Sequence, residues 1–137
     1  MAPRYFTVGE ANDVVGDLRP VVEDLVEHHR RFLEAQVRRG DLAQRAGANG
    51  GDLTPADFGE VEAELEREAT ALARLIERIQ SAGAQVKDLS EGLLDFPSLR
   101  DGEEVLLCWR LGEDEIAFWH GTDEGFAGRK PLVGGDE

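Results

Sequence analysis

Apolar residues recur along the first third of the chain at helical spacing. Ala11, Leu18, Leu25 and Phe32 stand seven apart, with Val14/Val15, Val21/Val22 and His28/His29 between them, so one stripe runs for about four heptads. Its start is marked by Thr7-Val8-Gly9-Glu10, the spacing at which a threonine hydroxyl and a glutamate carboxylate cap each other's backbone N–H. Pro20 falls inside the stripe. Its missing N–H and its ring predict a kink or a restart near Gly16–Pro20, with Asp17 as a new cap. The reading is a helix over 7–39 with a kink near Pro20. Residues 40–53 hold four glycines and no period, which reads as a flexible loop.

A second helix is predicted over 54–83. Thr54 serves as N-cap, Pro55 takes the first helical position, Asp57 lies in the first turn, and Leu53 is placed to pack on Phe58. Phe58, Leu65, Leu72 and Ile79 repeat at sevens, Val61, Ala69 and Leu75/Ile76 fall between them, and Gly83 ends the run. Two stripes of similar length predict an antiparallel hairpin. Two helices alone leave one side of the seam open, so the rest of the chain or a second copy must cover it.

From Gly83 the period drops to two. Gln85–Leu89, Leu93–Phe96, Val105–Leu111 and Ile116–His120 read as short strands, with turn residues at Ser90-Glu91-Gly92, Arg100-Asp101-Gly102 and Leu111–Glu115. Residues 84–120 are therefore expected to form an antiparallel meander of three or four strands, followed over 121–137 by a glycine-rich closing segment and tail. The fold class is α+β, a long helical hairpin followed by a small antiparallel sheet, in one domain over 1–137. A tight turn at Gly112–Glu115 would set Leu111 opposite Ile116, Trp109 opposite Phe118 and Leu107 opposite His120. Those six residues make the expected core face. The reverse face, with Leu106, Cys108, Arg110, Ala117 and Trp119, is too apolar for open solvent, so a second protomer, the Gly125–Arg129 segment or a ligand should cover it.

Charge narrows the function classes. The 137 residues carry 29 acidic and 15 basic side chains, a net charge of −14, which opposes nonspecific nucleic-acid binding and anionic membrane surfaces. The acidity is concentrated in residues 84–137, with thirteen acidic against five basic groups. A single cysteine excludes an internal disulfide framework and any CxxC-type site. No apolar run approaches the roughly 20 residues of a membrane span, and Met1–Glu10 lacks the apolar stretch of a signal peptide, so the cytoplasm is the expected compartment.

Three stretches, RYFTVGEAN, VKDLSEGLLDFPSLRDGEEVLLCWRLGE and FWHGTDEGFAGRKPL, together resemble the prokaryotic family catalogued as domain of unknown function 2203 (DUF2203). The resemblance covers almost the whole chain, leaving out the Gly-rich loop and the last few residues. It implies a small stand-alone bacterial or archaeal protein, and it brings no activity, cofactor or catalytic residue to carry over.

Candidate chemistry has to come from the residues. His28-His29, near Glu23, Asp24 and Glu27, invites a metal, but adjacent helical residues point about 100° apart and no ExxH or HExxH spacing is present. One imidazole reads as a seam residue and its neighbour as solvated; no metal site and no cofactor are expected. Trp109, Phe118 and Trp119 would make a base-stacking platform only with interleaved basic residues, which this acidic third lacks. Cys108 with His120 as base would make a nucleophile pair, yet the register above puts them on opposite faces. The last cluster runs from Trp119 to Arg129. Its glycines let a loop fold back on the sheet and bring Arg110, Trp119, His120, Asp123 and Arg129 together, a set able to hold a small anionic ligand through an arginine fork. The bland reading is an ion-pair network that closes the sheet.

The leading functional reading is a non-catalytic homo-oligomeric binding or scaffold protein, a homodimer or larger, with no nucleic-acid or membrane partner. The alternative is a small anion-binding protein or enzyme with a pocket of Arg110, His120, Asp123 and Arg129.

Overall fold

A computed structural model describes residues 4–49 and 55–132. Helix α1 (Val8–Asn49) and helix α2 (Pro55–Ser81) are followed by strands β1 (Gln85–Asp88), β2 (Leu93–Arg100), β3 (Glu103–Arg110), β4 (Phe118–Gly121) and β5 (Lys130–Pro131). The strands form one antiparallel sheet in the order β1-β2-β3-β4-β5. The expected α+β hairpin and meander are present, with the closing segment adding a two-residue fifth strand.

The capping box forms as its spacing requires: Glu10 N donates to Thr7 Oγ1 at 3.1 Å, and Thr7 N to Glu10 Oε1 at 2.9 Å. Helix α1 does not break at Pro20. The proline removes the N–H that Gly16 O would accept, and both residues lie on the exposed side, where water can take that place. Residues 40–49, expected as loop, continue the helix. Helix-interior glycine costs about 1 kcal/mol relative to alanine, but Leu42 packs on a cluster of Ala35, Val61 and Leu65. Arg38 pairs with Glu64, and Arg39 with Glu62 at 3.3 Å. Tertiary contact overrides local propensity here. The predicted Leu53 and Thr54 start signals lie outside the described residues. Pairing Arg39 with Glu62 and His28 with Glu68 sets the helices antiparallel, α1 spanning about 63 Å and α2 about 40 Å at 1.5 Å per residue.

The main core joins both helices to one sheet face. Val15, Val22 and Leu25 of α1 and Ile79 of α2 meet Leu94, Phe96, Leu107 and Trp109. Two tight passages need glycine. Gly83 (φ 98°) turns α2 into β1 with the Phe6 ring 2.8 Å from where a Cβ would sit, and Gly92 (φ 68°) opens β2 with Val22 Cγ1 at 2.8 Å.

Strand β2 runs four residues past its expected end, through Pro97. Pro97 O accepts from Phe6 N at 2.8 Å, so this residue's polar edge faces away from β3. Its missing N–H therefore breaks no bond to that neighbour. The β2–β3 turn is the two-residue Asp101-Gly102 connection, both at positive φ (53° and 82°), as a type I′ hairpin requires.

The connection after β3 differs most from expectation. It spans 111–117 rather than four residues, and Ile116 lies outside the sheet with its backbone N–H donating to Asn12 Oδ1 at 2.7 Å. The register moves by one: Cys108 pairs Phe118, Leu107 pairs Trp119 and Leu106 pairs His120. A one-residue shift exchanges faces. Trp119 thus joins the core side, whereas Phe118 and His120 join Leu106 and Cys108 on the reverse face, correcting the expected face assignment.

Candidate functional site

The register shift brings three polar side chains to one place. Asp95 of β2 lies directly across from Cys108 of β3, and His120 of β4 lies diagonally beyond Cys108 on the same face. Asp95, Cys108 and His120 are all buried, at 2%, 0% and 2% exposure. A carboxylate oxygen, the thiol sulfur and an imidazole nitrogen lie within 4.8 Å of one another. The expectation that Cys108 and His120 lie apart fails because it assumed the shorter turn. Asp95 carries no sequence signal, since one aspartate in an apolar strand makes no motif.

Hydrogen bonds orient the cluster. His120 Nδ1 lies 2.9 Å from Gly121 O and Nε2 lies 3.1 Å from Asp95 Oδ1. A carbonyl oxygen only accepts, so Nδ1 carries a hydrogen and Nε2 faces the carboxylate. One proton lies between Nε2 and Oδ1, since two bare acceptors would repel. Burial first, then the Asp95 carboxylate, push the Cys108 thiol up to about 12. A nucleophilic cysteine needs the opposite. With its proton retained near neutral pH, Cys108 is no nucleophile in this arrangement.

The closing segment covers this face. Arg129 stacks its guanidinium between the rings of Phe118 (4.0 Å) and Phe126 (4.4 Å). Its Nη2 donates to both Glu113 carboxylate oxygens at 2.8 and 2.9 Å, and its Nε is buried without a hydrogen-bond partner. Glu113 also receives Arg110 N at 2.8 Å, and its carbonyl receives Trp109 Nε1 at 3.0 Å and Arg19 Nη1 at 3.2 Å. It is the hub of the long β3–β4 connection.

The five sequence candidates do not converge on one pocket. His120 is in the buried cluster, and Arg129 is engaged by Glu113. Arg110 points outward, 3.7 Å from Glu91 and over the Phe126 ring at 5.5 Å. Trp119 faces the core side, with Arg100 and Lys130 over its ring at 4.5 and 4.8 Å. Asp123 is exposed beside Gly121. The histidine pair is also placed differently from expectation, since neither imidazole is fully solvated. His28 Nδ1 meets Glu68 across the helices at 2.5 Å, and His29 Nδ1 lies 3.5 Å from Ser90 Oγ.

A two-helix hairpin backed by a five-stranded antiparallel meander, with a buried Asp–Cys–His face, defines the class of protein. The family model described as "Uncharacterized conserved protein (DUF2203)" matches residues 4–132, so the chain belongs to that family. No curated protein and no solved structure matches it. Among the described residues no helix is long and apolar enough to cross a membrane.

Proposed function

We propose that this protein is a non-catalytic binding or scaffold protein whose copies assemble along the far end of the helical hairpin. The observation that carries this reading is the pair Leu33 and Val37, 43% and 64% exposed. They lie one turn apart on α1, where the hairpin has a small cluster of its own around Ala35, Val61 and Leu65. Such a pair on a two-helix layer is a site for a facing copy. On the same arm of the hairpin a groove of about 510 Å³ sets Arg38, Arg45 and Arg67 among Asp41, Asp57, Glu60 and Glu64, a mixed-sign pattern that a two-fold related copy can match with itself. The anion-pocket alternative loses its support where Arg129 and His120 are engaged by Glu113, Asp95 and Gly121.

Sedimentation equilibrium tests the assembly. The wild-type chain is expected to be dimeric or larger at micromolar concentration, and Leu33→Glu combined with Val37→Glu is expected to give a monomer with an unchanged circular dichroism spectrum. A monomeric wild type overturns the reading.

A further inference from the structure

We propose that Asp95, Cys108 and His120 form a buried zinc site in which one carboxylate oxygen, one thiolate and one imidazole Nε2 bind a single ion. This site is on the reverse face of the sheet and does not depend on how copies assemble.

The three donor types are those zinc takes from proteins, and the mixed oxygen, nitrogen and sulfur set is that of a borderline-soft divalent ion. Bonds of about 2.0–2.3 Å at tetrahedral angles place donors about 3.3–3.8 Å apart. His120 Nε2 and Asp95 Oδ1 stand 3.1 Å apart, and all three donors fall within 4.8 Å, so side-chain adjustments of about 1 Å on three paired strands complete the geometry. The imidazole is already oriented by its other nitrogen. Gly121 O holds Nδ1–H at 2.9 Å, which directs Nε2 to the ion, as metal-bound histidines require.

Charge allows an ion to replace the proton that His120 and Asp95 share. A carboxylate at 2% exposure calls for a strong cationic partner. Arg129 is turned instead to Glu113 at 2.8 Å, leaving Asp95 with the proton it shares with His120 and with the Cys108 thiol. With zinc bound, the ion's two positive charges balance the Asp95 carboxylate and the Cys108 thiolate, while Arg129 and Glu113 balance each other. The groups facing Cys108 are Asp95 from β2, His120 from β4, Glu113 from the long connection and Arg129 from the closing segment. Binding forms bonds from the ion to Oδ, Sγ and Nε2. It releases the thiol proton and the proton between His120 and Asp95 to solvent, about two protons per ion. Affinity therefore falls as pH falls. The fourth tetrahedral position is left to water.

The test uses the full, untagged chain stripped with a chelator and titrated with cobalt(II), then with zinc(II). The expected result is saturation at one ion per chain, a near-ultraviolet thiolate-to-cobalt band, tetrahedral visible bands and their loss on adding zinc. Because Cys108 is the only cysteine in the chain, the thiolate band assigns itself without a variant. Cys108→Ser should abolish that band, and Asp95→Asn or His120→Gln should weaken binding by at least about 10-fold, each checked for fold by circular dichroism. Failure of the wild type to bind stoichiometrically, or binding without a thiolate band, overturns the proposal.

Discussion

Arg129 reaches Glu113 through a single nitrogen, its Nη2 lying 2.8 and 2.9 Å from the two carboxylate oxygens. The side chains are 11% and 19% exposed, and between them they tie the closing segment to the β3–β4 connection. Glu113→Ala should destabilise the fold by about 2–4 kcal/mol, because it strands a largely buried guanidinium and uncaps the Arg110 N–H. Glu91→Ala, which removes only an exposed 3.7 Å contact to Arg110, should cost less than about 0.5 kcal/mol. Denaturant unfolding of both variants measures the difference; equal losses would mean that the Glu113 hub does not hold the segment.

Gly92 enters β2 at φ 68° with Val22 Cγ1 2.8 Å from a would-be Cβ. Gly92→Ala combines left-handed strain with a clash against a core valine and should lose about 2–3 kcal/mol. Gly16→Ala, on the exposed side of α1 with nothing within 4 Å, should gain about 0.5–1 kcal/mol. The pair is read by midpoint shifts at constant denaturant slope.

The Cys108 thiol, held up to about 12 by burial and then by Asp95, sets a sign for the alkaline limb of stability. Its folded pKa lies above the unfolded value, so its contribution is fully present below that value, about 8.5. It is lost as pH rises toward 12, because the unfolded chain ionises first. Metal-free protein should therefore lose stability progressively over that window, and Cys108→Ser should flatten the loss. Iodoacetamide should label native Cys108 more slowly than a free thiol at pH 8; labelling as fast as a free thiol would contradict its burial.

The helices, the hairpin turns and most strand positions were legible because each is written locally: the capping box at Thr7 and Glu10, sevens from Ala11 and Phe58, and Asp101-Gly102 between strands. Three things were not. The helix over 40–49 depends on Leu42 meeting Val61 and Leu65, a contact between chain segments with no local signal. The extension of β2 past Pro97 depends on Phe6, ninety-one residues upstream, taking the carbonyl on that edge. The β3–β4 register depends on Asn12 drawing Ile116 out of the sheet. That last long-range bond moved His120 from one face to the other, so the candidate site inherited an error of one residue in a loop.

Asp95 and His120 are only 25 residues apart, on strands joined in sequence by β3, which carries Cys108 between them. Bringing the three together closes short loops whose entropic cost is modest, once Asn12 of α1 holds the β3–β4 connection at Ile116. The side chains of this face therefore come from one short stretch of chain, while their register is held from α1. Changes in the length or surface of the hairpin arm can accumulate without disturbing the cluster, whereas a one-residue slip of β4 against β3 would turn His120 away from Cys108 and dismantle it.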